Sequence, residues 1–223
     1  MLEIKSFNFG SFGTNTYVVS SKAQAGNDRT VLLIDPACSD QYEQQVLYNY
    51  IHSLSCEEVF IIATHGHLDH LWGAAWATEQ WHTPVLMHEA DIPMAEAMQM
   101  QYNLFGIRAT PQPFPVEALN SQFTIHNSQF SILNSPFSIL NSQLSILHTP
   151  GHTPGSVCLY WPEEKTLLSG DTLFRMGYGR TDLPGGDMGQ LISSLQRLFE
   201  LPNDTKVYPG HGDFTTIGAE KRG

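Results

Sequence analysis

Val59-Phe60-Ile61-Ile62-Ala63-Thr64-His65-Gly66-His67-Leu68-Asp69-His70 is the stretch on which the reading of this sequence turns. Its first five residues are apolar, as in a buried strand, and the polar loop that follows carries four potential metal ligands in six residues. Two histidines two apart in an extended loop can face one ion. Asp69 and His70, at the start of a helix expected over residues 69–81, can face a second ion nearby. Leu71, Trp72, Ala75 and Trp76 share one face of that helix and would bury it.

Three later segments repeat the arrangement of a loop after a strand. Thr149-Pro150-Gly151-His152-Thr153-Pro154-Gly155 sets one histidine in a rigid Pro/Gly loop, and Gly170-Asp171-Thr172 sets a carboxylate in a sharp turn. Tyr208-Pro209-Gly210-His211-Gly212 follows the last strand. Every candidate ligand therefore lies at the C-terminal end of a strand, where an α/β sheet brings distant loops to one edge. Together the four segments hold five His and two Asp, enough for two ions with a bridging carboxylate and a bridging solvent. Histidine is over-used for this purpose: ten His nearly match eleven Lys and Arg, and half of them fall in these segments.

The remaining chain reads as supporting structure. Strands are expected at Glu3–Phe9, Thr16–Ser20 and Val31–Ile34, the last two joined by an Ala25-Gly26-Asn27-Asp28 turn. Asp40 and Glu43 form a capping box for a helix over 40–53, a strand follows at Val85–His88, and a Met-rich helix spans Pro93–Leu104, its methionines read as packing. Strands return at Ser156–Tyr160, Thr166–Ser169 and Lys206–Tyr208. Asp187 caps a helix running to Glu200, with Gln190 completing the box. Residues 120–147 write one seven-residue unit four times. Phe and Ile at i and i+2, among Ser and Asn without flanking charges, favour short strands over a coiled coil. The charge-free repeat is a tolerant region that could pair edges with another chain, so oligomerisation is an open expectation.

At 223 residues the chain is expected to form a single domain, 1–223, with a sizeable core. A formal charge of -11 lacks the basic footprint of a nucleic-acid or anionic-membrane partner, so neither is expected. No basic-then-apolar leader opens the sequence and no stretch approaches the length of a membrane span, so a cytoplasmic location is expected. Cys38, Cys56 and Cys158 are odd in number and widely spaced, which indicates neither a disulfide framework nor a zinc knuckle.

With these motifs assembled, the sequence resembles the metallo-β-lactamase superfamily of binuclear hydrolases, and within it the glyoxalase II-like hydroxyacylglutathione hydrolases. The resemblance runs from Asn15-Thr16-Tyr17 and Ile34-Asp35-Pro36 to Gly210-His211-Gly212. It implies an α/β fold, the four-layer αββα sandwich, and two divalent ions, zinc foremost, with iron or manganese as alternatives. It further implies that His65, His67 and His152 bind the first ion, that Asp69, His70 and His211 bind the second, and that Asp171 bridges them. Asp35 would stand near the site as a supporting residue or as a plain turn. The tail, from Gly170-Asp171-Thr172 through Gly179-Arg180-Thr181-Asp182, looks like the small bacterial type II glyoxalases. These lack the C-terminal helical domain that grips glutathione in the larger enzymes. Arg175, Arg180 and Lys221 are the late basic residues that could replace it, although Arg180 is better placed to pair with Asp182 or Asp187.

The activity so implied is hydrolysis of S-D-lactoylglutathione or a related acyl-thioester by a metal-bridging hydroxide, with Asp69 and Asp171 as the catalytic carboxylates. Two other readings share the fold. A mononuclear iron persulfide dioxygenase would use His65, His152 and Asp171, and its family shares the string Gly179-Arg180-Thr181-Asp182. A lactone or ester hydrolase is the other. A secreted β-lactamase fits less well, because Asp171 stands where those enzymes commonly use Cys. A non-catalytic metal-binding domain is opposed by the complete ligand set.

Overall fold

The two apolar runs Val31–Ile34 and Val59–Ile62 lie side by side in parallel, with Val31 opposite Val59 and Ile34 opposite Ile62. Parallel strands covered on both faces need unbroken apolar sequence, and all five residues of the first strand are buried. This pairing fixes the level at which both strands end, and with it the loops that follow Ile34 and Ile62.

The computed structural model describes residues 2–21, 30–119, 124–127, 130–134 and 144–221. It comprises two compact units, Met1–Ala118 and Leu119–Gly223. The first holds a six-stranded sheet in sequential order: β1 (Leu2–Phe9), β2 (Thr14–Ser21), β3 (Thr30–Ile34), β4 (Glu58–Ile62), β5 (Val85–Met87) and β6 (Val116–Ala118). Strands β1 to β3 are antiparallel neighbours, while β3 to β6 run parallel. Its helices are α1 (Gln41–Ser53), α2 (Ala74–Trp81), a short 3-10 turn (Glu89–Asp91), α3 (Ile92–Glu96) and α4 (Met98–Leu104). Leu47, Ile51, Ala74 and Ala77 pack with Leu33, Ile61 and Val85 into one core.

Asp40 caps α1, accepting from the Glu43 amide at 2.9 Å. The Glu43 carboxylate does not close the expected box. It accepts instead from the amides of Gly10 and Ser39, at 2.9 and 2.6 Å, and so ties the β1–β2 turn to the helix. The helix expected from residue 69 begins only at Ala74, because the Gly73 amide is drawn to the Pro36 carbonyl at 2.8 Å. Gly73 also presses against Cys38 so closely that a Cβ would overlap its Sγ. Residues 67–71 therefore form i→i+3 turns, and Asp69 and His70 lie in a loop rather than at a helix start. The Met-rich helix is broken at Ala97 into α3 and α4, which turns Gln101 toward the histidine loop. Met98 is buried as expected, whereas Met100 is exposed.

The second unit holds β7 (Thr124–Asn127), β8 (Phe130–Asn134), β9 (Ser145–His148), β10 (Val157–Trp161), β11 (Thr166–Gly170), β12 (Leu173–Phe174), β13 (Gly177–Tyr178), β14 (Lys206–Pro209) and β15 (Thr215–Thr216). Seven of these form a sheet in the order β15-β14-β11-β10-β9-β8-β7, while β12 and β13 make a small hairpin. Its helices are α5 (Met188–Leu198) and α6 (Ile217–Glu220). Asp187 caps α5 by accepting from the Gln190 amide at 2.9 Å, and Leu191, Leu195 and Leu198 pack against Leu147, Leu167 and Val207. Two parts of the heptad repeat are the paired strands β7 and β8. Repeat residues 120–123, 128–129 and 135–143, like the 25–28 turn, lie outside the described residues. Among the described residues no helix is long and apolar enough to cross a membrane.

Candidate metal centre

In the first unit the loop after β4 packs its three histidines together, with the His65 ring centroid 4.8 Å from that of His67 and 4.1 Å from that of His70. His65 and His70 are fully buried. Asp35 organises them. Its backbone sits in the left-handed region at φ 52°, an unusual place for a non-glycine residue, and its carboxylate is turned onto the neighbouring strand end. There Oδ1 accepts from the Thr64 amide at 2.7 Å, while Oδ2 accepts from the Thr64 hydroxyl at 2.7 Å and faces His70 Nδ1 at 2.9 Å.

These contacts set the ring tautomers. A carboxylate only accepts, so His70 carries its proton on Nδ1 and presents the Nε2 lone pair. The single Thr64 hydroxyl proton goes to Asp35, so its oxygen accepts from His65 Nδ1 at 3.0 Å and His65 likewise presents Nε2. One buried carboxylate thus prepares two imidazoles as ligands. Asp69 is held by the buried Thr14 hydroxyl, which donates to Oδ2 at 2.8 Å, and the same oxygen lies 3.5 Å from His70 Nε2.

In the second unit three donors from three loops meet. Asp171 Oδ2 lies 3.4 Å from His152 Nε2 and 3.6 Å from His211 Nε2. His152 Nδ1 donates to the Arg180 carbonyl at 2.7 Å, so its Nε2 also carries a lone pair. Gly179 makes that approach possible, because a Cβ there would overlap the Asp171 carbonyl and reach 3.0 Å from His152 Nδ1. The loops are joined from below by a 2.9 Å hydrogen bond between the hydroxyls of Thr149 and Thr172. Gly151, at φ +136°, lays its loop directly on the first turn of α5.

Hydrogen bonds between nitrogen and oxygen cluster near 2.9 Å. Two donors on one tetrahedral ion, each about 2.0–2.1 Å from it, stand about 3.4 Å apart. The pairs Asp69–His70, Asp171–His152 and Asp171–His211 all have the second spacing. With Nε2 lone pairs prepared at His65, His70 and His152, the donor set fits divalent metal ions. It does not fit thiol chemistry, because burial pushes Cys38 up to about 12 and Cys158 up to about 11, leaving both thiols protonated at neutral pH.

The sequence model of the metallo-beta-lactamase superfamily matches residues 10–211. This chain belongs to that superfamily. The hydroxyacylglutathione hydrolase GloC of Haemophilus influenzae is 34% identical over 200 residues, covering 88% of this chain and 86% of its own. Among solved structures, the B3 metallo-beta-lactamase BLEG-1 superposes with a TM-score of 0.78 at 29% identity, over 99% of this chain and 97% of its own. TTHA1623, solved in a di-iron-bound form, gives 0.77 at 33% identity, over 98% and 97%. The metallo-beta-lactamase fold anticipated from the motifs is therefore the fold of this chain, and the chain is a metallo-hydrolase by membership. Neighbours named for different substrates share it, so the fold alone does not select among them.

The late basic residues are engaged elsewhere. Arg180 grips Asp182 through two 2.6 Å bonds, Arg175 reaches Asp213 at 2.8 Å, and Lys221 bonds the Leu201 carbonyl and Asn203. A groove of roughly 730 Å³ in the first unit, lined by Tyr48, His52, Glu58, Trp81 and His82, opens at the opposite end of β4 from the histidines. Sequence reasoning passed over Thr14, Asp91, Gln101 and the Arg180 carbonyl. Gln101 is polar within a Met-rich helix, but so are Gln99 and Asn103, so that pattern did not single it out.

Proposed function

We propose that this chain is a binuclear metal-dependent hydrolase that cleaves the thioester of S-D-lactoylglutathione or a closely related acyl-thioester, in the cytoplasm and with zinc as its metal. His65, His67 and His152 would hold one ion, Asp69, His70 and His211 the other, and Asp171 would bridge. The observation that carries the binuclear reading is the position of Asp171 Oδ2, at metal-sharing distance from two histidines of different loops. The GloC relative supports the substrate class.

When bound, the ions supply Lewis acidity for a polarised carbonyl and bring the pKa of a water close to neutrality. The residues do the rest. Asp35 and the Arg180 carbonyl hold three imidazoles in the tautomer that can ligate. Asp171 stands against the histidines of two separate loops, and Asp69, oriented by Thr14, is the carboxylate that takes the proton of the attacking water.

Purified, metal-analysed protein should hydrolyse S-D-lactoylglutathione with activity that scales to two metals per chain. Absence of turnover from a fully loaded site would overturn the thioesterase reading. Oxygen uptake with glutathione persulfide at one iron per chain would replace it with the dioxygenase.

A further inference from the structure

The histidine loop is held by a second set of contacts that the chemistry described so far does not use. Gln101, at the middle of α4, directs its whole amide onto it. Its Oε1 accepts from the Leu68 amide at 2.9 Å, while Nε2 donates to the Gly66 carbonyl at 2.9 Å and to the Met94 carbonyl at 3.1 Å. The orientation is determined by its partners: an amide N–H can only donate and two carbonyls can only accept, so flipping the side chain would break all three bonds. Asp91, itself fully buried, completes the grip by accepting from the Gly66 amide at 2.8 Å. Gly66 is pressed into this cradle, where an added Cβ would stand 3.0 Å from the Asp91 carbonyl and 3.1 Å from Met94 Cβ.

Both polar backbone groups of Gly66 and the amide of Leu68 are thus pinned, and His67 lies between them. We infer that Gln101 is a positioning residue for metal capture, fixing the backbone on either side of His67 in its ligating conformation before any ion arrives. The physical case is one of entropy. A loop that must be ordered by its metal spends part of the binding free energy on that ordering, whereas a loop ordered beforehand spends none. Supporting hydrogen bonds around metal ligands typically change affinity ten- to a hundredfold. Gln101 differs from Asp35 in what it holds, since Asp35 orients imidazole rings and Gln101 orients the chain that carries one.

This inference rests on the metal reading proposed above, so the experiment separates the two. Zinc affinity is measured by chelator competition on the full chain and on Gln101→Met, Gln101→Glu and the control Gln99→Met, beside the thermal midpoint of each metal-free protein. Gln99 lies on the exposed face of the same helix and bonds only Asn103 among the contacts resolved for it. Gln101→Met keeps the volume and removes all three bonds. Gln101→Glu keeps the acceptor for Leu68 but sets a carboxylate oxygen against two carbonyls.

Both Gln101 variants should bind the first zinc ten- to a hundredfold more weakly, with Gln99→Met unchanged. Wild-type affinity in either Gln101 variant overturns the inference. So does a loss of affinity that merely tracks a lowered metal-free midpoint across all three variants. A wild-type chain that takes up no zinc would instead overturn the metal reading, before any variant is made.

Discussion

The two sets of donors are built in opposite ways. In the first unit His65, His67, Asp69 and His70 come from one loop, and their supports reach in from distant sequence: Thr14, Asp35, Asp91 and Gln101. In the second unit His152, Asp171 and His211 come from three separate loops, and their supports join one such loop to another: the Thr149 and Thr172 hydroxyls meet, and the Arg180 carbonyl holds His152. A contiguous ligand loop concentrates the chemical signal but inherits too much backbone freedom, so the fold must clamp it. Dispersed ligands are each anchored by a strand end, and what they need is correct mutual spacing.

The largest test of that contrast is removal of Asp171, whose Oδ2 faces two histidines of different loops. Asp171→Ala should cost about a thousandfold or more in kcat/KM, together with loss of metal, read by thioester turnover and elemental analysis. Retained activity with the metal gone would remove Asp171 from the centre of the second set. Next comes Gly151→Ala, which forces a side chain into the α5 backbone at a positive φ. It should lower stability by about 2–3 kcal/mol, seen as a reduced urea midpoint at constant slope. An unchanged midpoint would show that the His152 loop is looser than its packing implies.

Asp35→Asn tests the first set. It keeps an acceptor for the Thr64 amide but turns a donor toward His70 Nδ1, and it should weaken zinc binding ten- to a hundredfold in a chelator titration. Thr172→Val removes only the hydroxyl link beneath the second set, and about 1 kcal/mol of stability is expected to go with it by denaturant unfolding.

The smallest effect belongs to the Arg180–Asp182 pair. The guanidinium bonds hold the Asp182 carboxyl at about 2, below its ordinary 3.8. The pair's contribution is therefore present above pH 4 and lost as pH falls toward 2. In Arg180→Ala the gap in Tm from wild type should be slight at pH 7, close over that interval and shrink in high salt, since both groups are exposed. A substantial rise in thioester KM in the same variant would instead give Arg180 a place in substrate binding.

Legibility in the sequence followed the same division. His65 to His70 announced themselves because four candidate ligands in six residues are improbable without a shared target. His152, Asp171 and His211 became readable through repetition of one pattern, a ligand in a turn after a strand. The α2 boundary was missed because Gly73 answers to Pro36, a partner that helical periodicity does not contain. Asp35 could be read either as a support near the site or as a plain Asp-Pro turn, since the parallel register that sets it beside Thr64 is a property of two strands rather than of one. The Met-rich helix hid a break at Ala97 whose purpose, presenting Gln101, lies 35 residues back at Gly66.

That clamp also sets a schedule. The histidine loop and the side chains that hold it are all encoded by residue 101, whereas His211, the last donor of the other set, follows 110 residues later. At synthesis rates of about 5–20 residues per second, the interval between the two is on the order of 5–20 s. If the first unit folds as it is made, the nascent chain carries a supported, half-complete set of ligands for that time. Whichever divalent ion is abundant around it has first access to a loop already shaped to receive one.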